Sequence, residues 1–358
     1  PSIYSCCSIS TAATTATTAA TTTTTKYKTQ GINIKDAYIG ELIESIDECT
    51  INNGWTSLWQ STFYEPDRIY TSNHFGQSLN FKKALLPFSL LLNYTVGMSH
   101  IDETRKVYDI AFNNAIYLKA AYTGDTFKKQ FIVKRLKKSN EHDTLVTLTC
   151  NLLRNEEKDP IFSVDKVMLF KNVLALQPEH KEPSSTSSKQ GGLNNIHNNS
   201  IKEFLKNIQD TSIQSKLPSN PVLANLSHDR LILHSLQRPL GRSTNMSLSS
   251  LFRMTHPLIF NLYQAHESKN LIVPGALVLS SVLSAASRDL FEVLYQELIS
   301  CRFYNLVAPT DTIGAFTYIH DIKTLSNGLE QVIITTVGVK NCDIVNELNE
   351  VPLPLNLF

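Results

Sequence analysis

The chain repeats itself. Around Pro87 it reads Leu-Leu-Pro-Phe-Ser-Leu-Leu-Leu (85–92), and around Pro274 it reads Ile-Val-Pro-Gly-Ala-Leu-Val-Leu (272–279). Each stretch is followed by an Asp-Thr pair, Asp125-Thr126 and Asp311-Thr312. The pair stands 38 residues from the proline in the first copy (125 − 87) and 37 in the second (311 − 274). A helix start and a strand start at matching distance in both halves predict one domain used twice. Each half then constrains the other, and any difference between them locates a loss or a gain of chemistry.

With 358 residues the chain has room for two ordinary domains and a sizeable core. Hydrophobic residues at 42% and charged residues at 18% suit a globular protein, and a net charge of +1 gives no case for nucleic acid or anionic membrane as partner. No apolar run approaches the ~18–20 residues of a membrane span. The longest candidates, 84–98 and 271–286, are interrupted by Pro, Asn, Ser and Gly. The cysteines, Cys6, Cys7, Cys49, Cys150, Cys301 and Cys342, include no CxxC pair, so no zinc finger or thioredoxin-like site is expected. Scattered in this way they read as reduced thiols of a reducing compartment. Cys150, among alternating apolar residues, is expected to be a small core hydrophobe.

Residues 1–31 are a different material, a Thr/Ala tract followed by Lys-Tyr-Lys-Thr-Gln-Gly. Such a tract buries too little apolar surface to offset the entropy of ordering. The first acidic residue is Asp36. An acid-free, hydroxyl-rich start resembles part of an organellar transit peptide, although it holds no arginine; the alternative is a low-complexity tail with no address. The compartments this leaves are the mitochondrion, which is preferred, and the cytoplasm.

Ordered structure is expected from residue 32. Residues 74–99 contain a helical segment whose core is Leu85–Gly97. Strands are predicted at 107–118, 125–136, 144–152 and 161–170. In the third of these Val146, Leu148, Cys150 and Leu152 share a face; in the fourth Phe162, Val164, Met168 and Phe170 do. A Ser/Asn/Gly-rich stretch, 182–200, marks a flexible linker. Residues 201–216 are predicted to form a short amphipathic helix. The second half repeats the order: a helix from Pro274 to Leu294 and strands at 298–307, 312–321 and 329–339. Gln331–Val337 is β-branched and apolar enough for a central strand. The expected organisation is a disordered segment 1–31, a first domain 32–176, a linker 177–220 and a second domain 221–358. One apolar helix followed by consecutive strands, twice over, fits antiparallel sheets wrapped around buried helices.

This pattern resembles the hotdog fold, and specifically the MaoC-like acyl-CoA hydratases and dehydratases. Asn114–Phe127 resembles that family's strand-turn, with Gly124-Asp125-Thr126 intact, and 75–97 resembles the segment leading through the central helix. In the second half 271–286 and 305–315 resemble the same two segments. The resemblance covers most of 33–345 outside the linker, and the nearest subfamily is the two-hotdog mesaconyl-CoA hydratase, or β-methylmalyl-CoA dehydratase. It implies an α+β double hotdog that adds water to a 2-enoyl-CoA or removes it from a 3-hydroxyacyl-CoA. CoA would enter as part of the substrate, with no metal and no other cofactor. It leaves room for a homo-oligomer or a place as a subunit in a larger complex.

The family does this with an Asp and a His in the pattern D-x-N-P-[LI]-H. One group activates water, a proton reaches the α-carbon, and backbone N–H groups at the start of the central helix meet the charge on the thioester oxygen. Gly275 matches the family's helix-start Gly and is the candidate oxyanion donor. His256, nineteen residues earlier (275 − 256), is the candidate catalytic histidine; a shifted alignment offers Tyr263 or His266 instead. The acid position falls on Leu251, which cannot act as acid or base. In the first half the histidine position is Tyr70, with Glu65 five residues before it and Asp67 beside it, so Glu65 and Asp67 are candidate carboxylates. The second half is therefore expected to hold the residual activity, and the first to accommodate the acyl chain. The competing expectations for His256 and Gly275 are a local cap and a site of close packing. Asp125 and Asp311 are expected to bond nearby backbone in turns. The basic run Lys128–Lys138 is expected to be a solvated face, with contact to CoA phosphates as the alternative. Two other functions compete: a non-catalytic hotdog subunit of an assembly, and an acyl-CoA thioesterase using Glu65 or Asp67.

Overall fold

A computed structural model describes residues 37–98, 107–155, 157–171, 229–262, 271–290, 292–325 and 329–348. All of them belong to one compact unit, Gly31–Phe358. The predicted disordered segment 1–31, the linker stretch 182–200 and the predicted helix 201–216 lie outside the described residues.

The first half runs β1 (Leu42–Thr50), α1 (Asn53–Thr62), α2 (Arg68–Thr71), α3 (Asn73–Ser78), α4 (Phe88–Val96), β2 (Val107–Tyr117), β3 (Thr126–Lys138), β4 (Thr144–Arg154) and β5 (Pro160–Phe170). The second runs β6 (Leu231–Leu233), β7 (Arg238–Pro239), α5 (Arg242–Leu251), α6 (Pro257–Phe260), α7 (Gly275–Ser287), β8 (Glu297–Arg302), β9 (Thr312–Thr324), β10 (Glu330–Lys340) and α8 (Ile344–Leu348). The duplication holds in atomic detail. Pro87 and Pro274 are both N-caps, at φ −57°, ψ 140° and φ −54°, ψ 143°, which their fixed φ favours. Asp125 accepts from the Tyr122 amide (3.0 Å) and Asp311 from the Ala308 amide (2.9 Å), the same turn closed three residues back.

Both central helices are largely apolar and carry no charged residue, which suits burial on most sides. In α4 Phe88, Leu90–Val96 are all buried, against β4 and β5, while α7 packs on β9 and β10. The helices also touch each other, and Asn93 Nδ2 donates to Ser280 Oγ across the contact (2.7 Å). The alternating faces predicted for β4 and β5 point inward: Val146, Leu148, Cys150 and Leu152 are fully buried, as are Phe162 and Phe170. Burial pushes the Cys150 thiol up to about 12, which suits an inert core residue.

The central helices are shorter than the apolar runs. α4 begins at Phe88, because the amides of Leu85 and Leu86 donate to the distant Ile69 and Ala121 carbonyls. α7 ends at Ser287, seven residues before Leu294 (294 − 287). The basic run is also not a uniform solvated face. Lys129 is buried, its Nζ donating to the Gly97 carbonyl at the end of α4 (2.7 Å) and lying 4.6 Å from the Tyr94 ring centroid. Lys166 Nζ donates to the neighbouring Val96 carbonyl (3.2 Å). Two cations thus meet the carbonyls that a helix end leaves unpaired.

The sheets are antiparallel and do not divide where the halves divide. The first has the order β1-β3-β4-β5-β2-β8, so β8 of the second half extends the sheet of the first, in register from Ala111↔Arg302 to Ile116↔Glu297. The second has the order β10-β9-β6, with β7 also on β9. Among the described residues β10 is therefore an edge strand, although its composition predicts a central one.

Candidate functional site

Two cavities flank the paired helices, one at the start of each. At the start of α7 a cavity of about 220 Å³ is lined by His256, Gly275, Asp109, Lys166 and Phe303 among others. His256 and Gly275 therefore reach one place, as their spacing suggests. The chain around His256 turns there because Pro257 opens α6 at its first position, where the missing N–H costs nothing. His256 Nδ1 accepts from the Leu258 amide (3.2 Å), capping that short helix. A neutral imidazole accepting at Nδ1 carries its proton on Nε2, so it can donate from Nε2 but cannot take a proton there.

The Gly275 amide is also engaged. It donates to Asp109 Oδ2 on β2 (3.1 Å), and Asp109 Oδ1 pairs with the buried ammonium of Lys166 (3.1 Å). A carboxylate of the first half thus takes the helix-start amide that the sequence offers as an oxyanion donor. A Cβ on Gly275 would lie 2.9 Å from Asp109 Cβ and 3.0 Å from Phe303 Cε2. Gly275→Ala is therefore expected to destabilise the fold by about 1–3 kcal/mol through overpacking. An unchanged denaturation midpoint would show that the helix start has room.

At the start of α4 the cavity is larger, about 1210 Å³, and Glu65, Asp67, Tyr70, Phe88 and Ser89 line it. Glu65 and Asp67 come from the segment between α1 and α2 and Tyr70 from α2, a stretch that is fastened to the second half. The Tyr64 amide donates to Ser284 Oγ (2.7 Å) and Ser287 Oγ donates to the Tyr64 carbonyl (3.0 Å), both on α7. Arg68 holds Glu292 through its backbone amide and its guanidinium (2.8 Å each). Asp67 Oδ1 accepts from the Val293 amide (2.7 Å).

Each carboxyl feels the other, and both are raised toward neutrality. Burial is the largest cause for Glu65, raised to about 8, with the charge of Asp67 next. Burial is also the largest cause for Asp67, raised to about 7 against the lowering bond from Val293. Tyr70 is buried beside them, its hydroxyl held well above the usual range by burial first and by the two carboxyls after it. No side chain caps α4 at Pro87. The amides of a first helical turn have no partner within the helix, and Phe88 and Ser89 of that turn line the cavity.

Neither Asp109 nor Lys166 carries a signal in the sequence, since each is one polar residue within a strand. The alternatives Tyr263 and His266 lie outside the described residues. Leu251 ends α5 and packs partly buried against the core. Among the described residues no cluster of His, Cys, Asp and Glu could hold a metal ion, and no helix is long and apolar enough to cross a membrane.

No protein-family model and no curated protein matches this sequence. Solved structures do match. A protein from Chloroflexus aurantiacus described as a MaoC-domain dehydratase superposes with a TM-score of 0.71 at 17% identity, over 88% of this chain and 90% of its own. A conserved protein from Mycobacterium tuberculosis, described as a double hotdog and as essential for bacterial survival during infection, gives 0.64 at 15%, over 88% and 94%. The chain has a double hotdog fold. A third double-length match, a MaoC-like dehydratase, gives 0.55 at 8% identity, over 85% of this chain and 99% of that one. At these identities the likeness establishes the hotdog architecture and leaves the chemistry to the sites.

Proposed function

We propose that this double hotdog is a hydratase or dehydratase acting on a 2-enoyl-CoA or 3-hydroxyacyl-CoA, with Glu65 and Asp67 as its acid–base pair. The observation that carries this is a pair of neighbouring carboxyls, Glu65 and Asp67, both raised by burial and both lining a cavity of about 1210 Å³ at the start of a central helix. A pair holding one proton supplies both halves of the reaction. The ionised member takes a proton from water as the water oxygen bonds the β-carbon, and the π electrons pass to the thioester. The protonated member then delivers its proton to the α-carbon. The pair ends with one proton, as it began. Amides of the first turn of α4 would meet the negative charge that builds on the thioester oxygen.

The site at the start of α7 supports this role less. Its histidine is used as a cap, and its helix-start amide bonds Asp109. A second reading there gives His256 and Gly275 the catalytic and oxyanion roles, with Asp109 as the carboxylate that the acid position lacks. It is favoured by the shared cavity of these three residues. A mesaconyl-CoA type of substrate carries a second carboxylate, and Arg302 on the wall of the larger cavity has the matching charge.

The test is turnover by the purified protein on a panel of enoyl-CoA esters, mesaconyl-CoA included, following double-bond loss and free thiol separately. Hydration without thiol release supports the proposal. Thiol release instead assigns a thioesterase using the same carboxylates. No turnover on any ester leaves the non-catalytic subunit.

A further inference from the structure

The two halves differ in chemistry at one row of paired strand residues. Six residues after the turn aspartate the first half has Phe131 and the second has Thr317 (131 − 125 and 317 − 311). Phe131 pairs with Cys150 on β4, and Thr317 pairs with Thr336 on β10. The first pair is buried and apolar. The second is the end of a hydrogen-bonded chain. Asp289 Oδ2 lies 2.7 Å from His234 Nδ1, His234 Nε2 lies 2.8 Å from Thr317 Oγ1, and Thr317 Oγ1 lies 3.0 Å from Thr336 Oγ1. His234 and Thr317 are fully buried. Thr336 is half-buried and lines the larger cavity, which Glu65 and Asp67 also line. The sheet does not need polar groups here, since Phe131 and Cys150 fill the same register without them. Nor does stability demand them, because a buried hydrogen-bonded pair gains little over apolar groups of the same shape.

The partners assign the direction of every proton in this chain. Burial, against the bond from Asp289, holds the His234 imidazole below the usual histidine range, so near pH 7 it is neutral and carries one ring proton. The Asp289 carboxylate accepts from Arg288 Nε on its other oxygen (3.2 Å) and from His234 on this one, which puts the ring proton on Nδ1. Nε2 then accepts from the Thr317 hydroxyl. Thr317 has no second proton, so its oxygen accepts from Thr336. With its own proton turned to Thr317, Thr336 presents only lone pairs to the cavity. A carbonyl or carboxylate oxygen is repelled there, and a hydroxyl is held. We propose that Thr336 is the specificity-determining acceptor for the 3-hydroxyl of a bound 3-hydroxyacyl-CoA, with Thr317, His234 and Asp289 as positioning residues behind it. This rests on the acyl-CoA reading above, in which the 3-hydroxyl is the donor that a hydroxyacyl ester has and an enoyl or 3-oxoacyl ester lacks. A site built to bond a hydroxyl rejects the analogue without it, because its own lone pairs are then left unpaired. The cavity is therefore selective for the hydrated side of the reaction.

The test is calorimetric binding of saturated, 3-hydroxy and 3-oxo CoA esters, matched in chain length, to the full chain. The 3-hydroxy ester is expected to bind at least about tenfold more tightly than either of the others. Thr336→Val keeps the shape of the wall and should bring the three affinities within about twofold, whereas Thr336→Ser should keep the preference. Thr317→Val leaves Thr336 in place but frees its proton to turn into the cavity, so the 3-oxo ester should gain at least about tenfold while the 3-hydroxy ester is still held. A chain with a structural role alone would shift the melt and leave these ratios as they are. If Thr317→Val does not fold, Thr336→Val on the cavity wall still decides. Ring nitrogen shifts of His234 should report the proton on Nδ1, and a proton on Nε2 would reverse the chain and overturn the proposal. Equal binding of the three esters by the wild type, or a preference that survives Thr336→Val, overturns it while the acyl-CoA reading stands. Binding of no ester removes both.

Discussion

Replacing Glu65 with Gln and Asp67 with Asn lowers hydration of an enoyl-CoA by about 10²–10⁴-fold, the usual contribution of positioned acid–base groups. The wild-type rate follows a bell whose limbs fall near the two raised values, about 7 and about 8. Below them both carboxyls hold protons and nothing takes one from water. Above them both are ionised and nothing delivers one to carbon. The same substitutions act oppositely on stability. Carboxyls raised in the folded state contribute most below the ordinary values, 3.8 and 4.5, and lose that contribution as pH rises through about 7 and about 8. The wild type is therefore expected to weaken across this window, whereas the double variant has a flatter profile and is the more stable protein at pH 8. Urea titrations at pH 5 and pH 8 measure this. An active variant with an unchanged bell would remove the pair from the mechanism, and a variant with the wild-type stability slope would show that the pair is not buried as described.

The largest effect on the fold is expected from Lys166→Met. The Lys166 ammonium is buried, pairs with Asp109 Oδ1 (3.1 Å) and donates to the Val96 carbonyl (3.2 Å). Methionine fills similar space but leaves the largely buried Asp109 carboxylate without its cation. Breaking a buried pair from one side in this way costs about 3–5 kcal/mol. Adding Asp109→Asn should recover at least about 1 kcal/mol, because the neutral amide oxygen still accepts from Gly275 and no charge is stranded. Denaturant unfolding of the two single variants and the double one gives the coupling. Purely additive effects would mean that the two groups do not interact.

If both variants behave as expected, the two cavities have diverged along physical lines. At the start of α7 the helix amide, the carboxylate and the ammonium satisfy one another, which stabilises the fold and uses up the donors. At the start of α4 two carboxyls are held close together where burial disfavours their charge, which costs stability and keeps a proton available near neutrality. Stability given up at a site in exchange for reactivity is a common feature of enzymes.

What the sequence determined by itself was whatever depends on short-range pattern. The two helix starts at Pro87 and Pro274, the Asp125 and Asp311 turns and the inward faces of β4 and β5 each follow from φ restriction, side-chain reach or a period of two. Their repetition carried the duplication and the antiparallel sheets around buried helices, and the resemblance to MaoC-like proteins supplied the hotdog architecture. What only the tertiary structure decided was which residues from different halves meet. Asp109 reaches Gly275 across 166 residues and Tyr64 reaches Ser284 across 220. A single polar residue in a strand has no local signature for such a partner. The edge position of β10 belongs with these, because β-branched composition reports fitness for a pleated, half-buried surface. It does not report whether a neighbouring strand arrives, and that depends on where the rest of the chain, or another chain, places one.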